Sequence, residues 1–90
     1  IEKALALLPG DPFILDSLGW VHYRRGDLDL ALEYLQLAMD QRPDAEIAAH
    51  LGEVLWQLGD EEQAITAWQN GRQNDPDNSI LKDTMRKFGQ

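Results

Sequence analysis

The chain has 90 residues, 43% hydrophobic and 27% charged, a balance that supports a folded core and argues against disorder. Its formal charge of -8 is spread evenly, and such a field repels phosphates and disfavours nucleic acid as a partner. With no cysteine, disulfide and thiolate chemistry are excluded, and no apolar run approaches the roughly 20 residues of a membrane-spanning helix.

In chain order, Ile1 to Leu8 has the apolar spacing of the second helix of a hairpin. Residues 1–9 are therefore expected to be the end of a truncated unit. A block from Asp11 to Pro43 follows, and a second from Asp44 to Pro76. Laid over one another, Leu18-Gly19 falls on Leu51-Gly52, Gly26-Asp27 on Gly59-Asp60, Ala31 on Ala64, and Pro43 on Pro76. Each block splits into two helices at its Gly-Asp pair. Glycine suits the left-handed residue that ends one helix, and aspartate caps the free N–H groups of the next. Pro12 fits a first helical turn behind Asp11, whereas Pro43 and Pro76 force the chain out of helix. Gly19 and Gly52, inside helices, mark close crossings, with Ala31 and Ala64 expected to supply the opposing small surfaces. After Pro76, Ile80, Leu81, Thr84, Met85 and Phe88 form an amphipathic series. Residues 77–88 read as a helix that caps the last hairpin.

Few residues point to chemistry. His22 and His50 occupy non-equivalent positions without metal-ligand spacing, and both read first as packing or hydrogen-bonding groups. Asp27-Leu28-Asp29 and Asp60-Glu61-Glu62 lack calcium-loop spacing and are explained as helix-start acids. Arg24-Arg25 is too short to be a nucleic-acid patch. No nucleophile–base pair is specified, so neither catalytic residues nor a cofactor or metal site is expected. Trp68 reads as core. Trp20 and Tyr23, three apart, share a helix face, as do Glu53 and Trp56.

The two in-phase blocks resemble the tetratricopeptide repeat family. The first does so through Leu15, Leu18-Gly19, Gly26-Asp27, Ala31, Leu35, Ala38 and Pro43; the second through Leu51-Gly52, Gly59-Asp60, Ala64, Trp68 and Pro76. His22 departs from the pattern in the first block, and Ala48, Leu55 and Gly71 depart in the second. The resemblance implies an all-α fold: a right-handed superhelical stack of antiparallel helix hairpins, a solenoid, with a C-terminal capping helix. It also implies that the first helix of each hairpin lines a concave groove for a peptide or protein segment. Carried onto this chain, the groove comprises Phe13, Asp16, Trp20, Tyr23 and Arg24, then Glu46, Ala49, Glu53, Trp56 and Gln57. The final helix adds Ile80, Asp83 and Lys87. Asp16, Trp20 and Glu53 stand where some members clamp a terminal carboxylate, so the expected occupant is instead an apolar segment carrying basic groups.

The chain is also similar to the C-terminal repeats of outer-membrane tetratricopeptide lipoproteins of Gram-negative bacteria. Some of these bring a periplasmic processing protease to its substrates. That likeness implies a protease or its substrate as partner, and a place on the periplasmic side of the outer membrane; without it, the expected place is the cytoplasm. The leading expectation is a noncatalytic protein-binding module. The alternative is a structural or self-associating segment of a longer array, with an apolar edge beside residues 1–9.

Overall fold

The computed structural model describes residues 11–90, so the helix end expected at residues 1–9 lies outside the described part. Five helices follow in order: α1 (Pro12–Arg24), α2 (Leu28–Gln41), α3 (Ala45–Gln57), α4 (Glu61–Asn74) and α5 (Ser79–Lys87). There is no strand among the described residues.

Local chemistry explains where the helices begin and end. The Asp11 carboxylate accepts from the Phe13 and Ile14 N–H groups, and Asp44 accepts from Glu46 and Ile47, so α1 and α3 start on capped turns. Asp60 does the same for α4 through the Gln63 N–H at 3.2 Å. Asp27 does not fulfil the expected cap. Its side chain makes no capping bond and lies 3.7 Å from His22 Nδ1, within ion-pair range but too long for a hydrogen bond. That ring nitrogen is buried with no hydrogen-bond partner among the described residues, while the His22 ring stacks on Tyr34 at 5.3 Å. The α5 cap, Asn78, accepts from the Leu81 N–H at 3.0 Å.

Gly26 and Gly59 adopt φ values of 87° and 91°, the left-handed conformation that an L side chain resists. Beyond them the Asp27 N–H donates to the His22 carbonyl, and the Asp60 N–H to that of Leu55, both at 2.9 Å. Gly26 and Gly59 also donate to the carbonyls three residues back, at 3.0 Å each. These paired bonds satisfy the orphan carbonyls at the ends of α1 and α3 and reverse the chain.

Helices α1 and α2 form one antiparallel hairpin, and α3 and α4 a second. Helix α3 packs against each of the other four described helices, whereas α2 and α4 scarcely touch. The molecule is an all-α helical repeat solenoid. Its main core joins Ala31 and Leu35 to Ala49, Val54, Trp68 and Leu81, crossing all the boundaries between α2 and α5. At this core Gly52 is indispensable, because a Cβ there would overlap the Trp68 indole. Ala64 is buried in the same core, but the closest approach to Gly52 is made by the flat Trp68 ring, anchored by its Nε1–H donating to the Ala49 carbonyl at 3.2 Å. Around Gly19 the contact is gentler: a Cβ would come within 2.7 Å of Leu35 Cγ and 3.2 Å of the Ala31 carbonyl oxygen.

Candidate functional site

The first helices, α1 and α3, and the last, α5, lie side by side and bring most of the expected groove residues onto one face. Helical spacing aligns Phe13, Asp16, Trp20 and Arg24 on α1, and Glu46, His50, Glu53 and Gln57 on α3. Between the helices these side chains interlock. His50 Nδ1 lies 2.7 Å from Asp16 Oδ1. A carboxylate only accepts, so this nitrogen carries the proton and donates. The His50 ring stacks beneath Trp20 with centroids 4.2 Å apart, and Trp20 stacks on Tyr23 at 4.8 Å. The Tyr23 hydroxyl donates to Glu53 Oε2 at 2.8 Å, and Lys87 Nζ from α5 approaches the same oxygen at 3.5 Å. A continuous ladder thus runs from Asp16 through His50, Trp20, Tyr23 and Glu53 to Lys87.

The electrostatics follow from burial. Asp16 and Glu53 are both buried, so each would be strongly destabilising without its partners. Burial, reinforced by the hydrogen bond from its hydroxyl to Glu53 and by that carboxylate's charge, pushes the Tyr23 phenol up from 10.0 to about 12. Gln57 acts on the same hydroxyl in the opposite direction, which places its amide beside the ladder. The neutral phenol is therefore the form this face is built around.

This arrangement alters the expected chemistry. The two central carboxylates answer to His50, Tyr23 and Lys87, and are not free to receive basic groups of a ligand. What faces outward is the half-buried Trp20, with Arg24, Gln57 and Lys87 exposed around the ladder and Glu46 half-buried at the start of α3. Phe13 is exposed at the opposite end, with the Arg42 guanidinium 5.3 Å over its ring. Trp56 belongs in large part to the packing between α3, α4 and α5. It stacks on Trp68 at 5.8 Å and meets Phe88 at 5.3 Å, leaving it only partly exposed.

Two contributors were not among the groove positions expected from sequence. His50 sits at the centre of the ladder, and its partner is 34 residues away, so no local motif marks it. Its spacing from Glu46 and Glu53 was the available signal. Phe88 closes the aromatic cluster with Trp56 and Trp68, and only its place in the amphipathic series of α5 hinted at a packing role. Among the described residues no group of three or more histidine or acidic side chains is arranged to hold a metal, and no helix is long and apolar enough to cross a membrane.

Comparison with known proteins adds a context. Residues 45–69, covering α3 and the first part of α4, match the family described as Tetratricopeptide repeat. A TPR repeat-containing protein of Pseudomonas aeruginosa is 57% identical over 53 residues, covering 59% of this chain and 9% of that protein. A TPR repeat-containing protein of Methanocaldococcus jannaschii is 31% identical over 65 residues, covering 72% of this chain and 12% of that protein. The chain thus spans only a small part of the length of both relatives.

Proposed function

We propose, from the premise that this is a chain of tetratricopeptide repeats, that its α1–α3–α5 face is a noncatalytic docking surface for a protein segment. Such repeats generally mediate protein–protein interaction. The observation that carries the reading is Trp20: a large aromatic held rigidly between Tyr23 and His50, yet half-open to solvent, with exposed Arg24 and Gln57 nearby. A preorganised aromatic loses little freedom on binding and makes an efficient anchor. Because Asp16 and Glu53 are paired internally, the fitting occupant is a segment whose apolar side chain lies against Trp20. Arg24 and Gln57 offer it hydrogen bonds, and Lys87 adds positive charge at the α5 end.

The finer reading, an adaptor within an outer-membrane lipoprotein that presents a substrate to a periplasmic processing protease, rests on the resemblance to such lipoproteins alone; the Pseudomonas relative supports the repeats, not the adaptor role. Pull-down with the full-length protein identifies the partner; purified partner is then titrated against Trp20→Ala and Arg24→Glu. Both variants keep the helical signal, and Trp20→Ala weakens binding by about thirtyfold, the equivalent of about 2 kcal/mol. Full affinity in both folded variants would sink the proposal. Trp56 is a poor probe, since its truncation disturbs the packing around Trp68.

A second reading is favoured by one feature of α1. Ile14 and Val21, at helical spacing, are exposed although both are large and apolar. This stripe suits stacking against another repeat or another copy. Sedimentation of the chain over a range of concentrations decides the second-copy form, because a constant monomer mass would exclude it.

A further inference from the structure

The outer side of the solenoid carries a second surface of different character. Because α2 and α4 diverge, the space between them is a trough floored by the buried Leu51 and Leu55 of α3. It comprises two cavities of about 480 and 240 Å³, which share Gln36, Leu55 and Gln63 and so run into one another. Leu32, Leu37 and Met39 of α2 extend the apolar lining along one wall. Among the described residues the charged rim is of one sign only: Glu33, Asp40, Asp60 and Glu62 line the trough, and no lysine or arginine does.

We propose that this trough is a docking site for a basic amphipathic helix of another protein. Its apolar stripe would lie on Leu32, Leu37 and Leu55, and its lysines or arginines would meet the carboxylate rim. Charge decides among the possible occupants. Asp60 is engaged in capping α4 and Asp40 accepts from the Gln36 amide at 3.0 Å, but the Glu33 and Glu62 carboxylates have no partner among the described residues. An acidic or neutral helix would bring apolar contact while leaving this one-signed field uncompensated. A second copy carries a formal charge of -8 itself and is repelled at long range, as is an anionic membrane surface. A cationic helix buries its apolar stripe and neutralises the rim together, the familiar helix-in-groove mode.

The site is separate from the α1–α3–α5 face, so the two proposals succeed or fail independently. The probe is a synthetic helix with leucines at i, i+3, i+4 and i+7 and lysines elsewhere, beside a control in which glutamate replaces each lysine. Both are titrated into the isotopically labelled chain and followed by amide chemical shifts. The lysine helix shifts Gln36, Leu37, Gln63 and Thr66, with binding that weakens as salt rises. The glutamate helix does not bind. The double variant Glu33→Lys, Glu62→Lys touches exposed positions whose side chains make no hydrogen bond or ion pair among the described residues. Once its helical fold is checked, it weakens the lysine helix by at least about tenfold. Three outcomes overturn the proposal: shifts confined to Trp20, His50 and Gln57, equal affinity for the two helices, or an unchanged affinity in the folded double variant. A mass that grows with concentration and protects the trough amides also overturns it, by making a second copy the occupant.

Discussion

Ile14 and Ile47 stand at the same place in the two hairpins, 33 residues apart, yet Ile14 is 48% exposed and Ile47 is 0%. Val21 and Val54 repeat the contrast at 50% and 0%. Identical side chains on equivalent helices therefore contribute very different amounts of burial. Helix α3 has α1 and α2 on one side and α4 and α5 on the other, whereas among the described residues nothing covers the outer side of α1. In a stack of this kind a residue's energetic weight is set by its neighbours as much as by its own hairpin. The second hairpin is also the more tightly keyed: Trp68 replaces Leu35, while Ala48, Ala67 and Gly71 replace Leu15, Tyr34 and Ala38. One large ring and three small positions fill the space that three larger side chains and an alanine share in the first.

The largest expected effect comes from breaking that key. Gly52→Ala forces Trp68 out of its seat, so it should destabilise by an amount approaching a buried Trp→Ala truncation, about 3–5 kcal/mol. Gly19→Ala meets the buried Leu35 side chain at 2.7 Å and the Ala31 carbonyl at 3.2 Å, a milder overlap than at Gly52, and should cost about 1–3 kcal/mol. Urea unfolding of the two variants measures the difference. Equal losses would mean that the second hairpin is no more rigidly packed than the first.

Next in size is the isoleucine pair itself. Ile47→Ala removes a fully buried side chain and should cost about 2–5 kcal/mol, whereas Ile14→Ala at an exposed site should stay within about 0.5 kcal/mol. The comparison sharpens if Ile14→Ala is repeated at high protein concentration. A cost that appears only there would show that another copy covers the α1 stripe.

These contrasts bear on what a sequence can reveal. Turns and caps were legible because their determinants are local: Gly26 and Gly59 take the left-handed conformation, and Asp11, Asp44 and Asp60 cap within three residues. Asp27 makes no capping bond, and its side chain instead lies 3.7 Å from the ring of His22, five residues back, a residue that departs from the repeat pattern. Ala48 and Gly71 each looked like a departure from the repeat pattern. In the structure they explain each other, since a Cβ on Gly71 would lie 2.6 Å from that of Ala48. The departure is a matched pair across two helices. The candidate face divides in the same way. Its stripe of Phe13, Asp16, Trp20 and Tyr23 followed from the family resemblance, with spacing adding only that Trp20 and Tyr23 share a face. The commitment of Asp16 to His50 and of Glu53 to Tyr23 and Lys87, however, depends on contacts 30 or more residues apart.

The smallest effect tests whether that commitment is energetic as well as geometric, at another equivalent pair, Tyr23 and Trp56. Trp56 is held by aromatic packing and has no titrating group, whereas Tyr23 is tied by its hydroxyl to Glu53. Its folded pKa of about 12 exceeds the unfolded value of 10.0. Below the unfolded value both states hold the proton, and the contribution is fully present. Between the two values the unfolded chain releases its proton first, so stability falls as pH rises and the contribution is gone above the folded value. Tyr23→Phe keeps the ring on Trp20 but has no proton to lose. The wild-type chain should therefore be the more stable at about pH 9, with its advantage shrinking toward about pH 12. All other titrating groups are common to the two proteins, so the difference in unfolding free energy isolates this hydroxyl. Because Tyr23 is only half-buried, the change should be smaller than either packing effect. An advantage that stays constant across the window would show that the Tyr23–Glu53 bond holds the face in shape without favouring the neutral phenol.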